Sequence, residues 1–110
     1  MHQQLTLPYP PSANRYWRMF RGRMVKSSQA RSYQEEVKAT VTGDLLPGDV
    51  GLTLMVYRPK RIGDLDNTLK VLIDALKTIV YNDDSQVKEI HARLMDDKTN
   101  PRVEVEVREI

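Results

Sequence analysis

The chain has 110 residues, 40% hydrophobic and 29% charged, which is enough for one core and one domain over residues 1–110 but not for two. With no cysteine, disulfides, thiolate metal ligands and cysteine nucleophiles are excluded. The net charge of +2 is unevenly placed: residues 1–34 hold Arg15, Arg18, Arg21, Arg23, Lys26 and Arg31 and no acid, so that third is +6 and the remainder −4. Such asymmetry fits a polyanionic partner, and it also fits a solvated basic face. No apolar run approaches the roughly 20 residues of a membrane span. The opening MHQQLTLPYPP lacks the apolar stretch of a signal peptide, so a cytoplasmic protein with no membrane partner is expected.

Gln3 to Leu7 alternates and predicts a short strand, ended by Pro8-Tyr9-Pro10-Pro11, with a turn over Ser12-Ala13-Asn14. Arg15 to Val25 sets β-forming aromatics around Arg21-Gly22-Arg23, as in a hairpin or an ordered basic loop. Ser27 or Ser28 can cap a helix to about Thr42 that buries Ala30, Tyr33, Val37 and Val41, before Gly43, Pro47 and Gly48 break it. Val50 to Tyr57 alternates cleanly and predicts a strand with Val50, Leu52, Leu54 and Val56 inward. Leu69, Leu72, Ile73, Leu76, Ile79 and Val80 lie at helical spacing, giving an amphipathic helix of about 15 residues, or roughly 22 Å. After a turn at Asn82-Asp83-Asp84, Val87 to Met95 and Val103 to Val107 read as two strands forming an antiparallel hairpin around an Asp96–Pro101 loop. The expected fold class is α+β: a small mixed β-sheet with two helices packed on one face, in a single domain.

The central helix carries acids at both ends. Asp64, Asp66, Asn67 and Lys70 stand at its start, and Asp83 and Asp84 follow its end. Asp64 and Asp66 flank Leu65, so in an extended segment both carboxylates point to one side. Lys70 lies one turn beyond Asp66 on the same face, and Asp74 one turn further. Oxygen-only acids suit Mg²⁺, which takes one or two protein carboxylates, several waters and phosphate oxygens. The plainer reading is a capping acid at Asp66 with an ion pair four residues on. A straight helix keeps its two ends too far apart for one metal, so Asp84 joins the first acids only if the chain turns back after Val80.

Asp64-Leu65-Asp66-Asn67-Thr68 also fits the nucleophile motif of haloacid-dehalogenase-type phosphatases. That motif should end a buried apolar strand, whereas Arg58 to Gly63 is polar and contains Pro59. Tyr16 and Trp17, between arginines, either stack on unpaired bases or pack the hairpin onto the sheet. His91, Asp96 and Asp97 read as solvent-facing residues.

A second resemblance spans nearly the whole chain. Leu7-Pro8-Tyr9-Pro10-Pro11-Ser12-Ala13-Asn14-Arg15-Tyr16-Trp17-Arg18 resembles the opening signature of RusA-type Holliday-junction resolvases. Asp64-Leu65-Asp66-Asn67, Lys70, Asp74-Ala75-Leu76 and Asp83-Asp84-Ser85-Gln86-Val87 resemble the active-site segment of the same family. The resemblance implies a Mg²⁺-dependent homodimeric endonuclease that cuts four-way DNA junctions in pairs of strands. Its catalytic acids and metal ligands fall on Asp64, Asp66 and Asp84, and its essential lysine on Lys70. Asp83 matches the neighbouring family acid, and a site completed within one chain is favoured. Arg15, Arg18, Arg21, Arg23, Lys26 and Arg61 are the candidate DNA-binding cations. The approach Arg58-Pro59-Lys60-Arg61-Ile62-Gly63 is less arginine-dense than the family pattern. The rivals are a non-catalytic junction-binding module and a small phosphatase built on Asp64 and Asp66.

Overall fold

A computed structural model describes residues 2–61 and 64–110, so Ile62 and Gly63 of the basic approach lie outside the described residues. Strand β1 (His2–Pro8) leads through the proline-rich segment to a short helix, α1 (Ala13–Tyr16). The hairpin of β2 (Trp17–Phe20) and β3 (Arg23–Lys26) follows, then helix α2 (Ser28–Thr40). The chain continues through β4 (Val50–Arg58), α3 (Leu65–Leu76), β5 (Val87–Asp96) and β6 (Arg102–Glu109).

The main sheet has the order β1-β6-β4-β5, with β4 and β5 parallel and the other neighbours antiparallel. Alternation along β1, β4 and β6 sends Leu5, Leu7, Leu52, Leu54, Val56, Val103, Val105 and Val107 to one face, where α2 adds Tyr33 and Val37 and α3 adds Leu72, Ala75 and Leu76. Fully burying one such leucine contributes about 1.5–3 kcal/mol, so this one-sided core is what holds α3 against the sheet. The α+β expectation, with α2 and α3 on one face of a mixed sheet, is met. The sheet contains one parallel pair, which is not the doubly wound parallel sheet that the phosphatase motif requires.

Three expectations are corrected. The last two strands do not form a hairpin, because β4 lies between them. Strand β5 arrives from a β4–α3–β5 crossover and therefore runs parallel to β4. The loop to β6 then crosses the end of β4, where the Asp97 amide donates to the Arg58 carbonyl (2.9 Å) and the Arg102 guanidinium lies 3.8 Å over the Tyr57 ring.

The central helix is also shorter than its apolar period predicts. It stops at Leu76, where Lys77 turns extended and Thr78 takes a φ of 66°. Ile79 and Val80 reach the core from a turn instead. Asp66 is not the cap: Asp64 holds that position, and Asp66 is the second residue of the helix.

The hairpin expectation is met. Arg21 (φ 52°) and Gly22 (φ 76°) form a two-residue turn with both residues left-handed, the form that matches strand twist. Ser27 caps α2 by accepting from the Ala30 amide (3.1 Å).

Candidate active site

The proline-rich segment and the start of α3 share one cleft. Its volume is about 670 Å³, and its walls are Tyr9 to Arg15 on one side and Pro59, Lys60, Asp64, Asn67 and Thr68 on the other. Local bonds shape each wall. The Tyr33 hydroxyl donates to the Pro8 carbonyl (2.6 Å), fixing where β1 ends. The Ser12 carbonyl accepts from the Arg15 and Tyr16 amides (3.0 and 2.9 Å), which winds α1 and places Arg15 at the rim. Opposite, the Asp64 carbonyl accepts from the Thr68 amide and hydroxyl, so the backbone of Asp64 starts α3.

The Asp64 side chain makes no capping bond. Neither Asp64 nor Asp66 has a side-chain hydrogen bond or ion pair among the described residues, and both are exposed. The helix dipole favours acids in this first turn by about 0.3–1 kcal/mol, which explains their tolerance but leaves their oxygens unengaged. Lys70 is exposed one turn along and pairs with neither Asp66 nor Asp74 among the described residues.

Asp74 is occupied elsewhere. It accepts from the Tyr16 hydroxyl at 2.6 Å and pairs with Lys26 at 2.9 Å. Tyr16 is fully buried, and burial, with Asp74 beside it, keeps its hydroxyl protonated well above the ordinary tyrosine range. These bonds tie the root of the basic hairpin to α3. Nothing in the spacing could reveal a contact across 58 residues. Lys26, expected at DNA, is thus shared with Asp74. Tyr16, buried with Ala30 and Val71, and Trp17, half-buried beside it, pack edge to face at 4.6 Å. Arg15, Arg18, Arg21 and Arg23 are exposed. Beside them Phe20 is 45% exposed, with Arg18 and Arg21 each just over 5 Å from its ring.

Arg61 is exposed but lies 3.3 Å from Asp96, which also binds Arg58. The Arg58 hydrogen bond holds the Asp96 carboxyl below its usual range, and hydrogen bonds led by the Asn100 amide do the same for Asp97. Asp96, read from sequence as solvated, thus braces the approach to Asp64, while the Asp97 carboxyl holds its own loop and Arg102.

The far end of α3 differs. Asp83 caps the 3-10 turn Asp84–Gln86, accepting from the Ser85 amide and hydroxyl, while Gln86 accepts from the Asp83 amide (2.9 Å). Those Ser85 bonds, aided by Lys77 at 3.6 Å, hold its carboxyl below the usual range. Asp84 is exposed, with no hydrogen bond or ion pair from its side chain among the described residues.

The expected approach of Asp84 to Asp64 and Asp66 within one chain does not occur. Among the described residues no three Asp, Glu or His side chains group closely enough to hold a metal. The ladder gives the reason: Val87 pairs beside Val50 and Asp96 beside Arg58, so Asp84 sits at the opposite end of the β4–β5 pair from Asp64. Helix α3 alone separates them by about 18 Å. Asp64 and Asp66 by themselves, oxygen-only and unengaged, fit a hard divalent cation that needs one or two protein carboxylates.

A small α+β domain with free carboxylates at a helix start, a lysine one turn on and a basic hairpin beside them has the features of a phosphodiester-processing protein. The sequence model of the family Endodeoxyribonuclease RusA matches residues 8–108. The chain is 36% identical over 114 aligned positions to Crossover junction endodeoxyribonuclease rusA of Enterobacteria phage 82, covering 96% of this chain and 93% of that one. It is 35% identical, over the same shares, to Crossover junction endodeoxyribonuclease RusA of Escherichia coli (strain K12) and 33% to that of Escherichia coli O139:H28. The chain belongs to the endodeoxyribonuclease RusA family.

Proposed function

We propose that this protein is a homodimeric, Mg²⁺-dependent endodeoxyribonuclease that resolves four-way DNA junctions in the cytoplasm by paired cuts. One observation carries the reading. Two family motifs some 50 residues apart in sequence form the two walls of one cleft, with the unengaged Asp64 carboxylate on one wall and Arg15 on the other.

In this reading Asp64 and Asp66 hold the cation, which when bound supplies an activated water and neutralises charge on the phosphoryl oxygens. Lys70, without a competing partner among the described residues, donates from Nζ to a non-bridging oxygen of the scissile phosphate. Arg15 and Lys60 at the cleft and Arg18, Arg21 and Arg23 on the hairpin track the flanking backbone, with Arg61 exchanging Asp96 for phosphate. Arg21 holds a left-handed turn position that Asn or Gly fills more cheaply, by about 1 kcal/mol, so the cation there is kept at some cost to the hairpin. Two symmetric cuts call for two sites related by a twofold axis, which a C2 dimer supplies.

The test is a nicking assay on a synthetic four-way junction with and without Mg²⁺. Paired, metal-dependent cuts are expected. A gel shift without cuts would make the protein a binding module, and phosphate release from small esters would make it a phosphatase.

A further inference from the structure

We propose that the β2–β3 hairpin is a wedge: Phe20, carried beside its turn among arginines, stacks on a base left unstacked at the branch point of the DNA. The inference rests on the nuclease reading above for its substrate, and it adds what tells a branch from plain duplex.

The hairpin has a fixed root and a bare tip. At the root the Ser27 amide donates to the Tyr16 carbonyl (2.9 Å) and the Arg31 guanidinium to the Lys26 carbonyl (3.2 Å). Tyr16 and Lys26 both bind Asp74 of α3, and Tyr16 packs on Ala30 and Val71, so α2 and α3 both grip the root. Cross-strand partners share a face, which puts Met19 with Met24 on one side and Phe20 with Arg23 on the other. Met19 and Met24 are 61% and 62% exposed, and Phe20 and Arg23 are exposed too, so neither face is covered near the turn. Met19, Phe20 and Met24 are half of the large apolar side chains left exposed among the described residues. Such residues scattered singly are ordinary, but three gathered on one hairpin mark a contact surface. Four extended residues carry the tip about 13 Å from the root.

The charge around the tip selects the partner. The Arg18 and Arg21 guanidiniums lie 5.3 and 5.2 Å from the centre of the Phe20 ring, Arg23 pairs across from it, and no acid precedes Glu35 in the chain. An apolar ring between cations suits a nucleic-acid strand, in which each flat base lies between two phosphates. Placement favours DNA over an acidic protein or an anionic lipid surface. Arg15, which lines the cleft with Asp64, stands just before the hairpin, so a strand held in the cleft has the hairpin beside it.

On binding, Arg18 or Arg21 leaves the ring for a phosphate and a base takes its place. An exposed cation–π contact is weak beside a charge-assisted bond to phosphate, which favours the exchange. Inserting a ring into continuous duplex requires unstacking a base step. At a branch point the stack is already interrupted, and that cost is smaller. The wedge therefore adds affinity on a junction and little on duplex, whereas the arginines act on both.

Binding is measured with Mg²⁺ withheld, so that no strand is cut, on a four-way junction and on linear duplex of the same sequence. Phe20→Ala should weaken junction binding about ten-fold and change duplex binding less than about two-fold, and Phe20→Tyr should restore the junction value. The position is exposed, so an unchanged melting temperature is expected of both variants. A 2-aminopurine at the branch point reports on the base itself. At saturating protein its fluorescence should rise with the wild-type chain and with Phe20→Tyr, and much less with Phe20→Ala.

Equal losses on junction and duplex would mean that Phe20 only seats the arginines, and a Phe20→Ala chain that sediments as a smaller species would make the hairpin a contact between copies. Either result overturns the wedge, as does a probe that stays quenched with the wild-type chain or brightens equally with Phe20→Ala. A wild-type chain that binds the junction but never cuts it when Mg²⁺ is supplied defeats the nuclease reading instead, and the binding and fluorescence results still decide the wedge.

Discussion

The two ends of α3 carry the same residue types and use them differently. At the start, Asp64, Asp66 and Lys70 are exposed, with side chains that make no hydrogen bond or ion pair among the described residues, beside a cleft. Toward the end, Asp74 is held by Tyr16 and Lys26 and Asp83 by Ser85 and Lys77, while Asp84 beside them is exposed without such donors among the described residues. Acidic residues in a helical stretch are therefore no guide to function by count or spacing. What separates a structural carboxylate from an available one is whether the fold has already given it donors.

Exchanging charge for shape at each end should sharpen that contrast most. Asp66→Asn is nearly isosteric and should fold normally, yet lose junction cutting in Mg²⁺ by orders of magnitude, with binding kept or tightened because one fewer carboxylate opposes the phosphates. Asp83→Asn should cut within a few-fold of wild type but melt earlier. Comparable losses of cutting in both variants would erase the distinction. The lysines form the next pair. Lys70→Ala should abolish cutting and lower the salt slope of junction binding by about one. Lys77→Ala should cut almost normally and change stability by no more than about 0.5 kcal/mol.

Smaller effects belong to the engaged end. Tyr16→Phe removes one hydrogen bond to a charged group and should cost about 1.5–3 kcal/mol by urea titration, while the folded fraction still cuts. The pH dependence follows from the same bonds. Buried Tyr16 stays protonated in the folded chain above its usual value of 10.0. Its contribution is full below that value and is lost as pH rises further, since the unfolded tyrosine ionises first. Tyr16→Phe should therefore flatten the alkaline limb of a melting-temperature profile. At the acid limb the sign reverses. Asp83, Asp96 and Asp97 titrate below the usual 3.8, so stability present above 3.8 should fall as the medium is acidified further. Asp83→Asn should flatten that side, and an unchanged acid limb would count against its capping role.

Much of this was legible in the sequence, for identifiable reasons. Period-two alternation in β1, β4 and β6 and the Arg21-Gly22 turn are local signals, and the structure follows them. The length of α3 is not legible, because Ile79 and Val80 keep a helical spacing that a tight turn at Thr78 also satisfies. The partner of β6 is not legible either, because loop length permits a hairpin and only the β4–α3–β5 crossover forbids it. Tertiary context alone decides that Asp74 belongs to Tyr16, that Asp96 braces Arg58, and that Asp84 stands a helix away from Asp64. The N-terminal and central motifs identified the family, whereas the cleft between them had to be seen in three dimensions.

Single-turnover cutting of an end-labelled four-way junction by Asp64→Asn, with binding followed in parallel by mobility shift, tests most directly the claim that the start of α3 is the cutting centre. The account predicts a folded variant that shifts the junction at wild-type protein concentrations and yields no product in Mg²⁺ over the time in which wild type finishes. Product formed at a near wild-type rate by that folded variant would contradict it.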